Sequence, residues 1–327
     1  MKRSACLYGP NNGVGLLADI SLIQDLLFDD YNVDILYTQN SVSTLSDTLE
    51  SNFKIYDVGI FFQEYDIERL AQNKKNILIV NEEWLRSEKL ILLQKFDKII
   101  TKSAFAKQLL RPYNNNVVNC GFISKDKYNP DIKKQERFLH VMGKSSQKGT
   151  ENILTSFTTK CKDIPITIIE SREGCTYDNV YSQYSNFTYI KNFIAKEDID
   201  IEYNKHFIHL CPSYYEGWGH YVYEGLSTGA LLYVTKIPMF LEWLDPDLVV
   251  FLDCEFERWD EDVEYFKYRD NMYPHQFGWK VNKDIFNIKV KNYKQYLENH
   301  KPDLVRKYFK HLNEQNSKKL FDELIDI

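Results

Sequence analysis

Short runs rich in β-branched and aromatic residues alternate along this chain with segments whose apolar residues recur every three or four positions, and no other feature narrows the fold as far. Residues 5–8 form the first such run. After a Gly-rich turn, Leu16, Leu17, Ile20, Ile23, Leu26 and Leu27 follow at the spacing of one helix face. Residues 33–37, 58–62, 77–80, 98–101 and 117–120 read as further strands, with helices between several of them. Such alternation implies a parallel sheet covered on both faces. A polar, proline-containing stretch at 128–136 interrupts the pattern, which restarts with strands predicted at 137–142, 166–170, 187–190, 207–210, 231–234 and 249–252.

Two doubly wound α/β domains are therefore expected in tandem, 1–130 and 131–300, followed by a helical segment 301–327 that can cross back to the first. A length of 327 residues, at roughly 150 per domain, agrees with two. Open α/β sheets bind ligands beyond the carboxyl ends of their strands, so a cleft between the two sheets is where chemistry is sought.

Composition removes several classes. With 43% apolar and 27% charged residues the chain is a folded globular protein rather than a linker or fibre. A formal charge of −6 provides no global positive field for nucleic acid. Charge is nevertheless uneven: residues 245–264 carry nine acids and one base, while 280–320 carry eleven Lys or Arg and four acids. The basic segment is read first as a solvated surface, with a polyanion site as the other reading.

Six scattered cysteines without a C-x2-C pair argue against a zinc ribbon or a disulfide framework and suit a reducing compartment. The start lacks the apolar run of a secretory leader, and no apolar stretch is long enough to span a membrane. A cytoplasmic location is expected, which makes the sequon at Asn186 irrelevant.

The segment richest in chemistry runs from His209 to Gly229. A buried strand enters a Pro212-Ser213 turn, then Gly217-x-Gly219, then a helix for which Gly229 is the expected stop. Main-chain N–H groups around Gly217 to Tyr221, at that helix's N-terminus, suit an anion, and the glycines let it approach. Glu216 precedes the helix and Glu224 lies within it. Their eight-residue spacing, at about 100° per helical residue, returns both carboxylates to one side.

Pro212, Ser213, Glu216, Gly217, Gly219, Glu224 and Gly229 together resemble the P-S-x-x-E-G-F-G-x-x-x-x-E-A-x-x-x-G signature of retaining GT-B glycosyltransferases, particularly family 4. Trp218 stands in the usual Phe place and Gly225 in the usual Ala place. The resemblance implies that Glu216 contacts the donor sugar, that Gly217, Trp218, Gly219 and His220 line the sugar and diphosphate, and that Glu224 binds the ribose hydroxyls. Upstream, Gly143-Lys144 with Lys148-Gly149 is similar to the family's G-R-x(n)-K-G element, whose cations grip the diphosphate; here Lys replaces Arg and the spacing is shorter. Two such cations can stabilise a departing nucleoside diphosphate without a metal.

The loop Gly9-Pro10-Asn11-Asn12-Gly13-Val14-Gly15 matches neither the dinucleotide nor the P-loop fingerprint. By resemblance, Gly13 and Gly15 meet the diphosphate or acceptor. Asn81 and Glu82 follow a strand where many relatives place a His, and are assigned either to the substrate on the acceptor side or to a helix N-cap. Gly121 to Asp126 is a hinge or cleft-wall candidate.

Three features are set aside. Asp260-Glu261-Asp262 has a D-x-D form but does not follow an apolar strand, and is read as acidic surface. His206 and His209 lack a third ligand and are read as structural. Trp84 with Leu85 and Leu90, Ile91, Leu92 and Leu93 is read first as a core-facing helix, with peripheral membrane contact as the other reading.

The resemblance thus implies a GT-B α/β fold and metal-independent transfer of a hexose-like unit, with retention, from a nucleoside diphosphate sugar to a hydroxyl on a glycan, glycoconjugate or small molecule. No cofactor or metal is expected. The competing readings are a DNA-modifying glycosyltransferase using residues 280–320, an epimerase or phosphorylase of the same fold, and a nucleotide-sugar binding module without transferase activity.

Overall fold

In this computed structural model the described residues are 2–11, 15–37, 54–65, 67–143, 145–170, 181–191, 195–258, 272–273 and 277–326. Gly13, Lys144 and Asp260-Glu261-Asp262 lie outside them. The chain divides into two compact units, Met1–Ile123 with Asn271–Pro274 and Asn313–Ile327, and Ser124–Asp270 with His275–Leu312.

The first unit is built on a six-stranded parallel sheet of β1 (Arg3–Gly9), β2 (Tyr31–Tyr37), β3 (Tyr56–Phe62), β4 (Asn73–Val80), β5 (Lys98–Thr101) and β6 (Val117–Asn119), in the order β2-β1-β3-β4-β5-β6. Consecutive residues of β1, β3 and β4 are buried, as expected of strands covered on both faces. Tyr8, Phe61, Leu78, Val80 and Ile99 belong to the core on one side. Helix α1 (Gly15–Leu27) turns Ile20, Ile23 and Leu27 inward, following the predicted apolar spacing. Helix α2 (Ala104–Leu110) starts at Ser103, whose Oγ accepts the Ala106 N–H at 3.0 Å.

Residues 84–93 differ from the helix expected. Two 3₁₀ segments, Glu82–Trp84 and Ser87–Lys95, flank an extended Leu85–Arg86 that pairs with Met272–Tyr273. That pairing breaks the helix, and the tighter turn directs Leu93 inward while leaving Ile91 69% exposed. The C-terminal helix Pro302–Ile325 contributes its second half to this unit, where Asn316 Nδ2–H donates to the Phe122 carbonyl and Lys98 pairs with Glu323.

The second unit repeats the plan with β7 (Gln135–Gly143), β8 (Ile166–Glu170), β9 (Phe187–Lys191), β10 (His206–Cys211), β11 (Leu231–Thr235) and β12 (Val249–Leu252), all parallel. Their order is β9-β8-β7-β10-β11-β12. Winding starts at β7, proceeds outward to β9, then returns to β10 beside β7. The two strands at this reversal diverge in the direction of their connections, and a crevice opens at their carboxyl ends. Helices α3 (Thr150–Thr159), α4 (Lys196–Lys205), α5 (His220–Ser227) and α6 (Pro238–Trp243) belong to this unit. Its core includes Phe138, Ile153, Phe157, Ile168, Ile208, Leu210 and Tyr233. Among the described residues no helix is long and apolar enough to cross a membrane.

Candidate functional site

Two loops leave the adjacent strands β7 and β10, and their side chains meet. The first ends in a 3₁₀ turn, Ser146–Lys148, closed by Gly149 at φ +68°. A Cβ on Gly149 would lie 2.0 Å from the Pro212 carbonyl oxygen, so only glycine lets this turn rest on the loop after β10. The Tyr214 N–H donates to the Gln147 carbonyl at 2.8 Å and locks the two loops together.

Lys148 is thereby delivered to Glu216, Nζ to Oε1 at 2.6 Å, with the carboxylate 5% and the ammonium side chain 16% exposed. The same oxygen accepts the Ser213 Oγ–H at 2.6 Å, and Tyr221 in turn contacts Ser213 Oγ. Burial and the nearby Glu216 charge raise the Tyr221 phenol, which therefore stays protonated and donates to Ser213. The Lys148 ammonium also lies 3.9 Å from the Tyr221 ring centroid. In this enclosed charge pair the carboxylate takes a second hydrogen bond, from Ser213, while the ammonium rests over the Tyr221 ring.

His140 supports the loop from behind. Its ring is fully buried in β7, with Nδ1 2.9 Å from the Leu210 carbonyl and Nε2 2.9 Å from Thr150 Oγ1, so Nδ1 carries the proton and Thr150 donates to Nε2. Burial pushes its pKa down to about 4, and the Lys148 charge adds to this. A neutral ring in one tautomer thus ties β10 to the first residue of α3.

Helix α5 begins at His220, after Gly219 at φ +81°. A Cβ there would stand 3.0 Å from Phe240 Cζ of α6. Trp218 turns inward, stacking on Tyr223 at 4.0 Å between centroids, and its Nε1–H donates to Ser124 Oγ at 2.9 Å. Ser124 Oγ also lies 2.9 Å from His220 Nδ1. At the other end Gly229, at φ +71°, donates its N–H to the Leu226 carbonyl and ends the helix.

Solved structures resemble the whole chain. A glycosyltransferase from Rickettsia africae superposes with a TM-score of 0.66 at 11% identity, covering 99% of both chains. Anabaena HepE in complex with UDP and glucose gives 0.64 at 9%, covering 97% of this chain and 99% of that one. A UDP-forming trehalose-phosphate synthase from Burkholderia xenovorans gives 0.66 at 9%, covering 100% and 98%. The fold is GT-B. No protein-family model and no curated protein sequence matches the chain, so at this identity what is shared is the fold.

Within the GT-B fold the second unit brings Lys148, Glu216, Gly217, Gly219 and His220 together around the start of α5. Glu224 lies one turn further along that helix, held by a different cation, Lys127, at 3.6 Å. The helical-spacing argument fails for Glu216, which stands in the loop before α5; the two carboxylates are placed by separate lysines. Gly143, at φ +62°, closes β7 with open space where a Cβ would be. Gly15 opens α1 in the first unit.

Asn81 and Glu82 also lie in the first unit, beyond β4. Asn81 occupies the N-cap position of the 3₁₀ turn without capping it by its side chain; its main-chain N–H donates to Gln63 Oε1 at 2.8 Å. Gln63 itself holds the left-handed φ of +63°. The Glu82 carboxyl is buried with neither oxygen hydrogen-bonded among the described residues, and burial followed by the Glu83 charge raises its pKa well above the carboxylate range.

His206 and His209 are structural, as expected: His206 lies 2.8 Å from the Glu202 carbonyl and 2.9 Å from Thr167 Oγ1, and His209 lies 3.2 Å from the Tyr203 carbonyl. His209 also explains Gly225, because a Cβ there would sit 2.8 Å from its Nδ1 and 2.7 Å from Leu232 Cδ2. Among the described residues no cluster of His, Cys, Asp or Glu could hold a metal ion.

Sequence reasoning assigned no role to Lys127 or His140; it placed Ser124 in a hinge or cleft-wall candidate and Tyr221 among the main-chain donors of the helix start, without a role for either side chain. Ser213 and Tyr221 sit inside the matched motif, where an O–H near two acids is a usable signal. Lys127 has none, being 97 residues before Glu224 (224 − 127).

Proposed function

We propose that the chain is a retaining glycosyltransferase that moves a sugar from a nucleoside diphosphate sugar to an acceptor hydroxyl. The observation that carries this reading is the Lys148–Glu216 pair at the carboxyl ends of β7 and β10, beside the first turn of α5. A nucleoside diphosphate sugar presents two anionic phosphates next to a polyol. The pair offers the matching chemistry: a cation and a helix N-terminus for the phosphates, a carboxylate for sugar hydroxyls.

In the proposed reaction the acceptor oxygen attacks the anomeric carbon on the face from which the diphosphate leaves. The bond between that carbon and the phosphate oxygen breaks, and the acceptor's proton passes to an oxygen of the departing diphosphate. Lys148, with Lys144, and the main-chain N–H groups at the start of α5 stabilise the charge that builds on that leaving group. Glu216 orients the sugar, and Glu224 accepts the ribose hydroxyls. Gly13 and Gly15 are assigned to the donor, and Asn81 and Glu82 to the acceptor side. HepE was solved with UDP and glucose and the Burkholderia synthase is UDP-forming, which makes UDP the first nucleotide to try.

Calorimetry and thermal shift with UDP, GDP, dTDP and ADP and their common sugars, on the wild type and on Glu224→Ala, test the donor site. One donor that binds the wild type, is lost in the variant and is consumed when acceptors are supplied supports the reading. Folded protein that binds none of them overturns it. EDTA is expected to leave transfer unchanged, and strict dependence on Mg or Mn would count against the proposed chemistry.

A further inference from the structure

Glu224 is reached from inside the second unit by Lys127. The Lys127 side chain is 4% exposed; its ammonium pairs with Asp200 of α4 and stands 3.6 Å from Glu224 Oε1. The ammonium also lies 5.3 Å from the Tyr203 ring centroid. The main chain of Lys127 is tied at both groups. Its N–H donates to Ser227 Oγ at 2.9 Å, and its carbonyl accepts Asn204 Nδ2–H at 2.6 Å. Ser227 Oγ–H in turn donates to the Glu224 carbonyl at 2.7 Å.

Lys127 is thus fastened to the turn of α5 that carries Glu224 and to α4 on its other side. The enclosed ammonium draws one Glu224 oxygen toward it by charge at 3.6 Å, and the Tyr203 hydroxyl donates a hydrogen bond to the same carboxylate, so Lys127 and Tyr203 together limit its rotation. One cation faces two carboxylates, Asp200 and Glu224. Glu224 therefore keeps acceptor capacity on its exposed side, where its side chain is 19% accessible.

We infer that Lys127 is a positioning residue, holding the Glu224 carboxylate in the orientation in which it accepts the hydroxyls of a nucleotide ribose. The inference rests on the donor-site reading of Glu224 given above. It requires Lys127 to act on ribose recognition rather than on nucleotide binding in general, since it touches neither Lys148 nor Glu216.

The test is calorimetry with UDP, GDP and ADP, each beside its 2′-deoxy form, on the wild type, Lys127→Met and Lys127→Arg. The wild type should prefer the ribo form by roughly tenfold, the effect of one hydrogen bond to a charged group. Lys127→Met should bring that ratio close to one through weaker binding of the ribo form, while Lys127→Arg should restore part of it. If Lys127→Met does not fold, Lys127→Met with Asp200→Asn removes one cation together with one anion and carries the same comparison. An unchanged ratio in a folded variant overturns the role of Lys127 and leaves the donor site standing. A wild type that binds no nucleotide, or binds ribo and deoxy forms equally, instead overturns the assignment of Glu224, and the inference falls with it.

Discussion

Lys148 and Glu216 lie 68 residues apart in the chain and 2.6 Å apart in space, joined because β7 and β10 are neighbours at the reversal of the second sheet. Each is the other's counter-ion in a region that excludes most water, so neither can be altered alone without exposing the partner to an uncompensated burial.

Lys148→Met should therefore lower unfolding stability by about 3 kcal/mol and transfer by about a hundredfold. Glu216→Gln, which still accepts from Ser213 and Lys148, should lose activity with a smaller loss of stability. The combination of the two should recover stability but not rate. Denaturant titrations beside initial rates check this, and a double variant less stable than Lys148→Met would show that the pair is not coupled.

Gly149→Ala should damage both properties together. The new Cβ meets the Pro212 carbonyl oxygen at 2.0 Å, and the left-handed backbone adds about 1–2 kcal/mol of strain. The loops must separate, carrying Lys148 away from Glu216. A variant with unchanged melting temperature and unchanged transfer would mean that the contact is relieved without moving the lysine.

His140 sets a stability slope on the acid side. Its folded pKa of about 4 lies below the ordinary 6.5, so between those values the unfolded chain binds a proton that the folded chain does not. Its contribution is complete above pH 6.5 and is lost as pH falls toward 4, by up to about 3 kcal/mol. Urea unfolding across that range should show the slope, and His140→Gln should flatten it.

Glu82 acts in the opposite sense. Its carboxyl stays protonated in the folded chain above the pH at which the unfolded chain releases its proton, so stability falls as pH rises from the ordinary value of 4.5 toward the raised one. Glu82→Gln should match the wild type near that lower limit and exceed it at neutral pH, by a margin that widens with pH. Equal stability of the two at neutral pH would show that the carboxyl ionises without penalty.

Much of this architecture is visible in local patterns. The apolar spacing of Ile20, Ile23 and Leu27 is the buried face of α1, and the turn at Gly219 and stop at Gly229 bound α5 where glycine can hold a positive φ. Residues 84–93 show the limit: an apolar run reads as a helix, yet pairing of Leu85–Arg86 with a strand nearly two hundred residues later divides it.

The site divides along the same line. Glu216, Glu224, Lys148 and their glycines are picked out in the chain by the motifs they resemble, whose fixed spacing sets each relative to a strand end or helix start. Which cation faces which carboxylate is not local. Lys148 meets Glu216 because burial of both sheet faces orders the strands with β7 beside β10, and Lys127 meets Glu224 because Ser227 and Asn204 hold its main chain between two helices. Backbone periodicity is written residue by residue and so is legible in the sequence; the pairing of charges depends on which surfaces exclude water together, and only the folded chain decides that.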